Sequence, residues 1–359
     1  MTLLTFNSLI LSFIFVLLCS FFVLFKFEVF NKIYIFIATA FCYSIAIRDR
    51  GWDVQLYKNI YSSVNGLSFL SEELTWLEPS FIFIIATLRT INAPFFVFSL
   101  AWAIITFWFL SKVICKLDRY VLIIISLFFF LYFYRGPYGQ VRQGLSLVMF
   151  LYSISFLSNK EYLKYTFINS LALTVHSTAI MSFPFLFFYL IFEKSNRQFL
   201  NIFVACAVII SFIDISSLFS TLLNYIDLGR VGYKFNYYLS SSRLKGLSVN
   251  IETVRMLFVI SVVSFIYPRM DELDKYLRNL ILAYYFGVIL YFILSFDLRI
   301  ASRSARAFLM TEIIILPFAL DFIYNRTNKF FYRLTLLIIC LGYLALELYM
   351  MGSGEIIYG

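Results

Sequence analysis

Two arginine-rich segments contain the residues best suited to chemistry. The first is Arg135-Gly-Pro-Tyr-Gly-Gln-Val-Arg142-Gln143, and the second contains Arg299, Arg303 and Arg306. A guanidinium group binds phosphate or carboxylate through two parallel hydrogen bonds, whereas an ammonium group acts as a point charge. Both segments therefore predict contact with an anionic ligand.

The second segment has helical spacing. Arg299, Arg303 and Arg306 follow an i, i+4, i+7 pattern, which puts all three on one stripe of a helix. Like charges on one stripe repel each other, and a bound anion would offset that repulsion. The structural alternative is that these side chains reach lipid headgroups or pair with Asp297. Lysine would serve lipid contact equally well and is absent from the stripe, so we favour an anionic ligand.

Arg142 is predicted to lie in the first turn of a helix. The glycines and proline of residues 136–139 break the preceding apolar run, and a new helix opens near Gln140. Arg142 and Gln143 then lie where free backbone N–H groups and the helix dipole favour an anion. This pattern is typical of a phosphate site. The alternative is an ordinary interfacial arginine that caps a tight hairpin.

Candidates for a base are few. His176 is the only histidine of the chain, and it is a candidate proton acceptor or hydrogen-bond donor. A lone histidine is also a common packing residue. Asp53 and Glu78 compete for the role of base, although we expect most carboxylates on this side to be solvated or paired with arginine. Glu252 and Arg255, spaced i, i+3, are an example of such a pair.

The elements that position these residues are predicted to be membrane helices. Hydrophobic residues make up 62% of the 359 residues, charged residues 14%, and the mean hydropathy is +0.87. Runs such as 121–134 lack the alternation of a barrel strand. The net charge of +9 is spread over short loops, which favours contact with anionic membrane lipid over nucleic acid. The fold class is therefore an all-α polytopic membrane protein.

Twelve apolar runs predict membrane spans, and we treat the whole chain as one transmembrane domain. The run 3–25 is predicted to be a retained first span, because it has neither a preceding basic residue nor a cleavage site. Residues 79–88 are too short to cross and predict a re-entrant or interfacial helix opened by Glu78-Pro79. The predicted spans are 3–25, 33–47, 94–114, 120–134, 141–158, 162–176, 178–192, 199–214, 253–268, 279–296, 306–323 and 334–350.

The flanking lysines predict that both termini and both long connections, 48–93 and 215–252, lie outside. Lys26 and Lys32 follow the first span, and nothing basic precedes it. Eleven of the 17 arginines then lie outside, whereas nine of the 12 lysines lie inside. A topology signal needs only charge, so the outer arginines are predicted to serve anion recognition.

The sequence predicts neither a metal site nor a cofactor. The five cysteines stand singly in or beside apolar runs, without the spacing of metal ligands or of a disulfide framework. We interpret them as packing residues.

An ordered set of short motifs resembles the EpsG-like group of Wzy polysaccharide polymerases. The set spans roughly residues 33 to 190, and the arginine-rich segment 297–306 is similar in character. Trp52 stands where that group usually has threonine, and Gly139-Gln140 stand where an asparagine is common. The motifs are Arg48-Asp-Arg-Gly-Trp-Asp53-Val-Gln-Leu-Tyr57, Glu78-Pro-Ser-Phe, Val141-Arg142-Gln143-Gly144, a basic patch ending at Lys164, and His176-Ser177.

The resemblance implies glycosyl transfer on the outer face of the bacterial cytoplasmic membrane. A growing glycan on undecaprenyl pyrophosphate would be moved to the non-reducing end of a lipid-linked repeat unit. Arginines would then stabilise the leaving pyrophosphate in place of Mg²⁺. A chain-length regulator protein is an expected partner, and nucleic acid is not. The expected site comprises Arg142, His176, Glu78 and Asp53 as catalytic residues, and Arg48, Tyr57, Arg135, Tyr138, Gln143, Arg299, Arg303 and Arg306 as substrate-binding residues, with Trp76 also lining the sugar path.

Two other functions remain open at this point. A ligase related to the O-antigen ligases would share the donor and the membrane side but pass the glycan to a lipid A core. A flippase or exporter would carry the lipid-linked sugar through an arginine-lined cavity, and it should show polar residues at mid-span depth. The sugars, the linkage, the stereochemical outcome and the class of surface polysaccharide are left open by the sequence.

Overall fold

All the regular secondary structure in the part of the chain that the structure describes is helical. The computed structural model describes residues 30–48, 53–66, 77–114, 116–117, 120–213, 221, 251–266, 274–324, 335, 338 and 342. Its main helices are α1 (Phe30–Ala46), α2 (Val54–Ser63), α3 (Pro79–Thr90), α4 (Phe95–Ile114), α5 (Val121–Phe128), a π-helix (Phe129–Tyr138), α6 (Val141–Ser158), α7 (Tyr162–Val175), a 3₁₀-helix (Ser177–Met181), α8 (Ser182–Phe192), α9 (Arg197–Ile210), α10 (Ile251–Ile266), α11 (Lys275–Ile293), α12 (Leu298–Leu309) and α13 (Glu312–Tyr324).

The predicted class of helical membrane protein is confirmed. Within the described ranges, α4, α6 and α11 are long and apolar enough to cross a membrane. Helix α6 coincides with the predicted span 141–158, and α3 begins at the predicted Pro79. The number of twelve spans and the outward termini stay predictions.

Some predicted elements lie outside the described residues. They are the first span, 3–25, and the last span, 334–350, apart from residues 335, 338 and 342. The connection 215–252 is described only at residues 221, 251 and 252.

The predicted span 306–323 corresponds to parts of two helices. Helix α12 ends at Leu309, and α13 begins at Glu312 after a two-residue break. Asp297 caps the start of α12, because its Oδ1 accepts hydrogen bonds from the amides of Arg299 at 2.8 Å and Ile300 at 3.1 Å. The arginine stripe therefore has its own short helix.

Helices α6 and α11 form the centre of the bundle. Each is apolar around most of its circumference, and 83% of the residues in the membrane-length window of each helix are buried. A helix of this kind is stable only when other helices surround it. Helix α6 packs against α4, the π-helix, α7, α11 and α12, and α11 packs against α8, α9 and α12 as well.

Two glycines allow the closest helix contacts. A Cβ on Gly144 in α6 would overlap the backbone nitrogen of Pro137 in the π-helix. A Cβ on Gly287 in α11 would lie 2.6 Å from the Cβ of Phe308 in α12. Real Cβ atoms do not approach that closely, so these contacts require glycine. They hold the π-helix and α12 directly against the central pair.

The start of α6 is confirmed, whereas the predicted break before it is shorter than expected. The sequence places a break across residues 136–139, but the π-helix continues through Gly136 and Pro137 to Tyr138. Its wider turn accommodates the proline, and π-helical turns are frequent at functional sites. Only Gly139 and Gln140 separate it from α6. Trp102 of α4 fixes this corner by donating a 2.9 Å hydrogen bond to the carbonyl of Val141.

Candidate anion-binding active site

Arg142 is buried in the first turn of α6, where it forms an ion pair with Glu78. Its Nη1 donates to Oε2 of Glu78, and both side chains are nearly inaccessible to solvent. The other carboxylate oxygen, Oε1, accepts a 3.3 Å hydrogen bond from the backbone amide of Ser177. Glu78 immediately precedes α3, so this single carboxylate joins α3, α6 and the 3₁₀-helix.

Aromatic rings enclose the Arg142 guanidinium. Its central carbon lies 5.4 Å from the centre of the Tyr57 ring and 5.0 Å from that of the Phe81 ring. The Nε of Arg142 donates to the Tyr57 hydroxyl at 3.4 Å, and that hydroxyl donates to Oδ2 of Asp53 at 3.0 Å. Tyr57 is fully buried, and this burial raises the pKa of its hydroxyl. A hydrogen-bonded chain thus runs from Arg142 to the partly exposed Asp53.

Arg48 holds the corner that precedes α6. Its Nη1 donates to the carbonyls of Pro137, at 3.1 Å, and Tyr138, at 2.6 Å. Burial lowers the pKa of Arg48 to about 10, so the group stays charged at neutral pH. Its Nε and Nη2 are buried without a hydrogen-bond partner. Because buried guanidinium donors are rarely left unsatisfied, this edge of Arg48 is suited to an oxygen ligand.

Arg306 of α12 reaches the same corner from the other side. Its Nη1 donates to Oε1 of Gln143 at 3.0 Å and to Oε1 of Gln140 at 3.3 Å. Gln143 follows Arg142 directly, so the two predicted arginine segments meet at the first turn of α6. The Nε2 of Gln143 is buried without a hydrogen-bond partner. Two arginines and an unsatisfied amide donor thus lie around one helix start.

The other two arginines of α12 are less closely tied to this point. Arg299 lies in the first turn of α12, and its Nη2 is 3.7 Å from Oδ2 of the buried Asp297. That contact is the structural alternative expected for the stripe. Arg303 is partly buried on the same helix. Of the three arginines, Arg306 therefore has the clearest described link to Arg142.

His176 lies on the turn that also contacts Glu78. The residue is partly buried, and its Nδ1 is 2.8 Å from the hydroxyl of Thr178 and accepts from the Thr178 amide at 3.3 Å. The next residue, Ser177, supplies the amide that binds Glu78. The hydroxyls of Ser80 and Thr174 are 2.6 Å apart and join α3 to α7 nearby. The turn with His176 is thereby fixed beside the ion pair.

Three predicted site residues are left, namely Tyr138, Arg135 and Trp76. Tyr138 is partly buried at the end of the π-helix, and its ring packs 5.6 Å from that of Phe133. The side chain of Arg135 and the whole of Trp76 lie outside the described residues. In the described ranges, no group of three or more His, Cys, Asp or Glu side chains could hold a metal ion.

A further buried carboxylate, Glu312, was missed in the sequence. It is fully buried and accepts hydrogen bonds from the hydroxyls of Tyr132 at 2.7 Å and Tyr284 at 3.3 Å. The Nε of Arg255 lies 3.6 Å from its Oε1, a partner that the spacing of Arg255 and Glu252 did not anticipate. A carboxylate directly before the apolar run 313–320 was the available signal. Gln140, which binds Arg306, was named only as a helix start.

Comparison with known proteins supports a family assignment. The family model described as EpsG matches residues 31–358, whereas no curated protein and no solved structure matches the chain. The ordered motifs quoted above end at Ser177, and the match extends through the helices that hold Arg306 and Glu312. Because the match covers nearly the whole chain, the protein belongs to the EpsG family, which is associated with Wzy-type polymerases.

Proposed function

We propose that the protein is a polysaccharide polymerase, a membrane glycosyltransferase that joins oligosaccharide repeat units carried on undecaprenyl pyrophosphate. It acts in the bacterial cytoplasmic membrane, with the site around Arg142 facing outward. The product is O-antigen or a similar surface polysaccharide. Family membership supports the reaction class, and the site supports the pyrophosphate donor.

One observation carries this proposal. Arg306 contacts Gln143, the residue that follows Arg142, so two separate arginine segments meet at the first turn of α6. Helix starts favour anions, because their first N–H groups lack helical acceptors and face the positive end of the dipole. A pyrophosphate has two adjacent phosphate groups, and two guanidinium groups beside a helix start match that charge.

Each arginine has a distinct task in the proposed complex. Glu78 and Tyr57 engage Nη1 and Nε of Arg142, and none of its described hydrogen bonds uses Nη2. Nη2 would therefore bind a phosphate oxygen of the donor. Arg48 would offer its unsatisfied Nε and Nη2 from the adjoining corner. These groups stabilise the charge of the leaving pyrophosphate as it develops, which makes a metal ion unnecessary in the proposed mechanism.

Asp53 is the preferred base of this mechanism. Both oxygens of Glu78 are engaged, by Arg142 and by the Ser177 amide, so we assign Glu78 to hold Arg142 in place. The described contact of Asp53 is to the Tyr57 hydroxyl through Oδ2, which leaves Oδ1 for an acceptor hydroxyl. His176, on the adjoining turn, is the alternative base. Tyr57 is fully buried, so its role here is to link Arg142 to Asp53, in place of stacking on sugar.

The proposed step is a direct glycosyl transfer. The acceptor hydroxyl gives its proton to the base as its oxygen forms a bond to C1 of the donor glycan. The bond between C1 and the pyrophosphate oxygen breaks, and its electron pair leaves with undecaprenyl pyrophosphate. The arginines bind the leaving group in this step.

The test is reconstitution. The purified full-length chain, placed in lipid vesicles with undecaprenyl-pyrophosphate-linked repeat units and a metal chelator, should produce a ladder of longer glycans. A ligase would instead transfer glycan only when a lipid A core acceptor is added. Movement of the repeat unit across the vesicle without lengthening would identify a transporter, and either result would contradict the proposal.

A second experiment separates the two base candidates. Asp53→Asn and His176→Gln would be compared by the pH dependence of kcat/KM. If Asp53 is the base, Asp53→Asn loses the acidic limb of the profile and lowers the rate roughly 100-fold or more. His176→Gln should then keep the shape of the profile. The reverse pattern would assign the base to His176.

A further inference from the structure

The opposite end of α6 contains a cluster of cations and aromatic rings that the proposed reaction does not use. The Nζ of Lys116, just beyond α4, lies 5.2 Å from the centre of the Tyr152 ring and 5.5 Å from that of Phe156. The Nζ of Lys164, in the first turn of α7, lies 5.9 Å from the same Phe156 ring. Two ammonium groups from different segments therefore lie within 6 Å of one ring of α6. We call this cluster the lysine site.

Side chains of α6 fix the position of Lys116 in the lysine site. Lys116 also donates a 2.6 Å hydrogen bond to the hydroxyl of Ser155, which is buried in α6. Tyr152 and Phe156 are only partly buried, so their rings stay accessible between α4 and α7. Partial burial against them lowers the pKa of Lys116. The ammonium group is thus held in a fixed place and partly removed from water, where an anion binds more strongly than in bulk solvent.

The charge of the lysine site is positive overall. Glu161 pairs with Lys164 at 2.9 Å, and its negative charge also acts on Lys116. One carboxylate therefore serves two ammonium groups. Lys112, whose Nζ lies 5.5 Å from the Trp108 ring on the exposed side of α4, adds a further positive charge at this end of the helix. A negatively charged ligand would offset this excess of positive charge.

An apolar track begins beside this charge. Leu163, Phe167 and Leu171 follow an i, i+4, i+8 spacing on α7, and all three are exposed. Leu163 and Lys164 both lie in the first turn of α7, so the track begins at the same level of the helix as this cation. In a membrane protein such a stripe faces acyl chains, and interfacial lysines and aromatic rings lie at headgroup level.

We propose that the lysine site binds the headgroup of an anionic glycerophospholipid, whose acyl chain lies on the track of α7. The phosphate would lie between Lys116 and Lys164, over Phe156. Both lysines fall in connections that the sequence predicts to be cytoplasmic, where anionic lipid attracts basic residues. The site is independent of the proposed glycosyl transfer.

Native mass spectrometry of the purified full-length protein tests the proposal. Phosphatidylglycerol and phosphatidylcholine would be titrated separately onto wild type and onto the double variant Lys116→Gln/Lys164→Gln. Wild type should prefer phosphatidylglycerol, and the double variant should bind it roughly 10- to 30-fold more weakly. Binding of phosphatidylcholine should not change.

A matched control removes the same charge from the same predicted side. Lys194 and Lys275 are exposed and have no described aromatic contact. Lys194→Gln/Lys275→Gln should therefore keep the affinity for phosphatidylglycerol, and Lys116→Arg/Lys164→Arg should keep it as well. Equal losses in the two glutamine variants would reduce the effect to general charge and overturn the proposal. Displacement of phosphatidylglycerol by equimolar inorganic phosphate would also overturn it, because the acyl chain would then contribute nothing.

Discussion

The two ends of α6 use their cations in opposite ways. Near its start, Arg48, Arg142 and Arg306 are 4%, 9% and 5% exposed, and protein oxygens fix all three. Near its end, Lys116 and Lys164 are exposed and lie over aromatic rings. Burying a charge costs free energy unless its partners are well placed. Burial on this scale is expected where a protein needs cations in exact positions, whereas exposed cations beside aromatic rings stay within reach of a lipid headgroup.

The type of cation follows the same division. A guanidinium group can contact several protein oxygens and still present a flat edge to a ligand, whereas an ammonium group has no second edge. Arg142 illustrates the first case, since Glu78 and Tyr57 engage two of its nitrogens and Nη2 is left for the proposed donor. Exchanging arginine and lysine at each end of α6 tests whether the two cation types have these separate roles.

The largest effect is expected from Arg142→Lys. Lysine keeps the charge but cannot contact Glu78, Tyr57 and a phosphate oxygen together, so polymer formation should fall about 1000-fold. The reconstituted ladder assay measures this. The matched exchange at the other end, Lys116→Arg, should change the rate less than about twofold, because that site is not part of the reaction. Undiminished long-chain polymer from Arg142→Lys would rule out the pyrophosphate role of Arg142.

A smaller effect, on stability, is expected from Glu78→Gln. The change leaves the buried Arg142 charge without its carboxylate, which should lower the free energy of unfolding by about 3 kcal/mol. Thermal unfolding in detergent measures the loss. The control is Glu161→Gln, which breaks the exposed pair with Lys164 and should cost below about 0.5 kcal/mol. Similar losses in the two variants would mean that the buried pair of Arg142 and Glu78 stabilises the fold no more than the exposed pair does.

Part of this arrangement was readable from the sequence. The glycines and proline of residues 136–139 located the start of α6 and so the position of Arg142. The proline after Glu78 located the start of α3. Both predictions rest on local backbone chemistry, in which proline and glycine restrict or free the chain at known positions.

The contacts between distant segments could not be predicted from the sequence. Arg306 and Gln143 are 163 residues apart, and nothing local in either segment specifies the other. The π-helix was missed because its wider turn carries Pro137 without the break that proline usually causes. The spacing of Arg299, Arg303 and Arg306 gave a stripe but not which arginine reaches α6. That depends on the close approach of α11 and α12 at Gly287.

Arg48→Lys should have an intermediate effect. Arg48 contacts two carbonyls at the corner before α6, and lysine can reach one of them but cannot supply the remaining edge. We expect a loss of about 1.5 kcal/mol of stability and about a tenfold lower polymerisation rate. Arg48→Met removes both carbonyl contacts, whereas Arg48→Lys keeps one. Comparing the two variants therefore separates the effect on stability from the effect on the polymerisation rate. Wild-type stability in both variants would show that the corner does not depend on Arg48.

The smallest effect is expected from Lys112, near the end of α4 and beside the lysine site. Lys112→Gln removes an exposed contact with the Trp108 ring, which should change the free energy of unfolding by about 0.5 kcal/mol. Polymerisation should stay at the wild-type rate. The same unfolding and ladder assays measure both quantities. A loss of unfolding free energy as large as that of Glu78→Gln would contradict the difference between the buried and the exposed cations.

The central claim is that Arg142 and Arg306 bind one pyrophosphate. A double-mutant cycle of Arg142→Lys and Arg306→Lys, scored by kcat/KM for the undecaprenyl-pyrophosphate donor, tests it most directly. Groups that share one ligand should show a coupling free energy of about 1 kcal/mol or more. Losses that add to within about 0.5 kcal/mol would place the two arginines at separate sites and contradict the account.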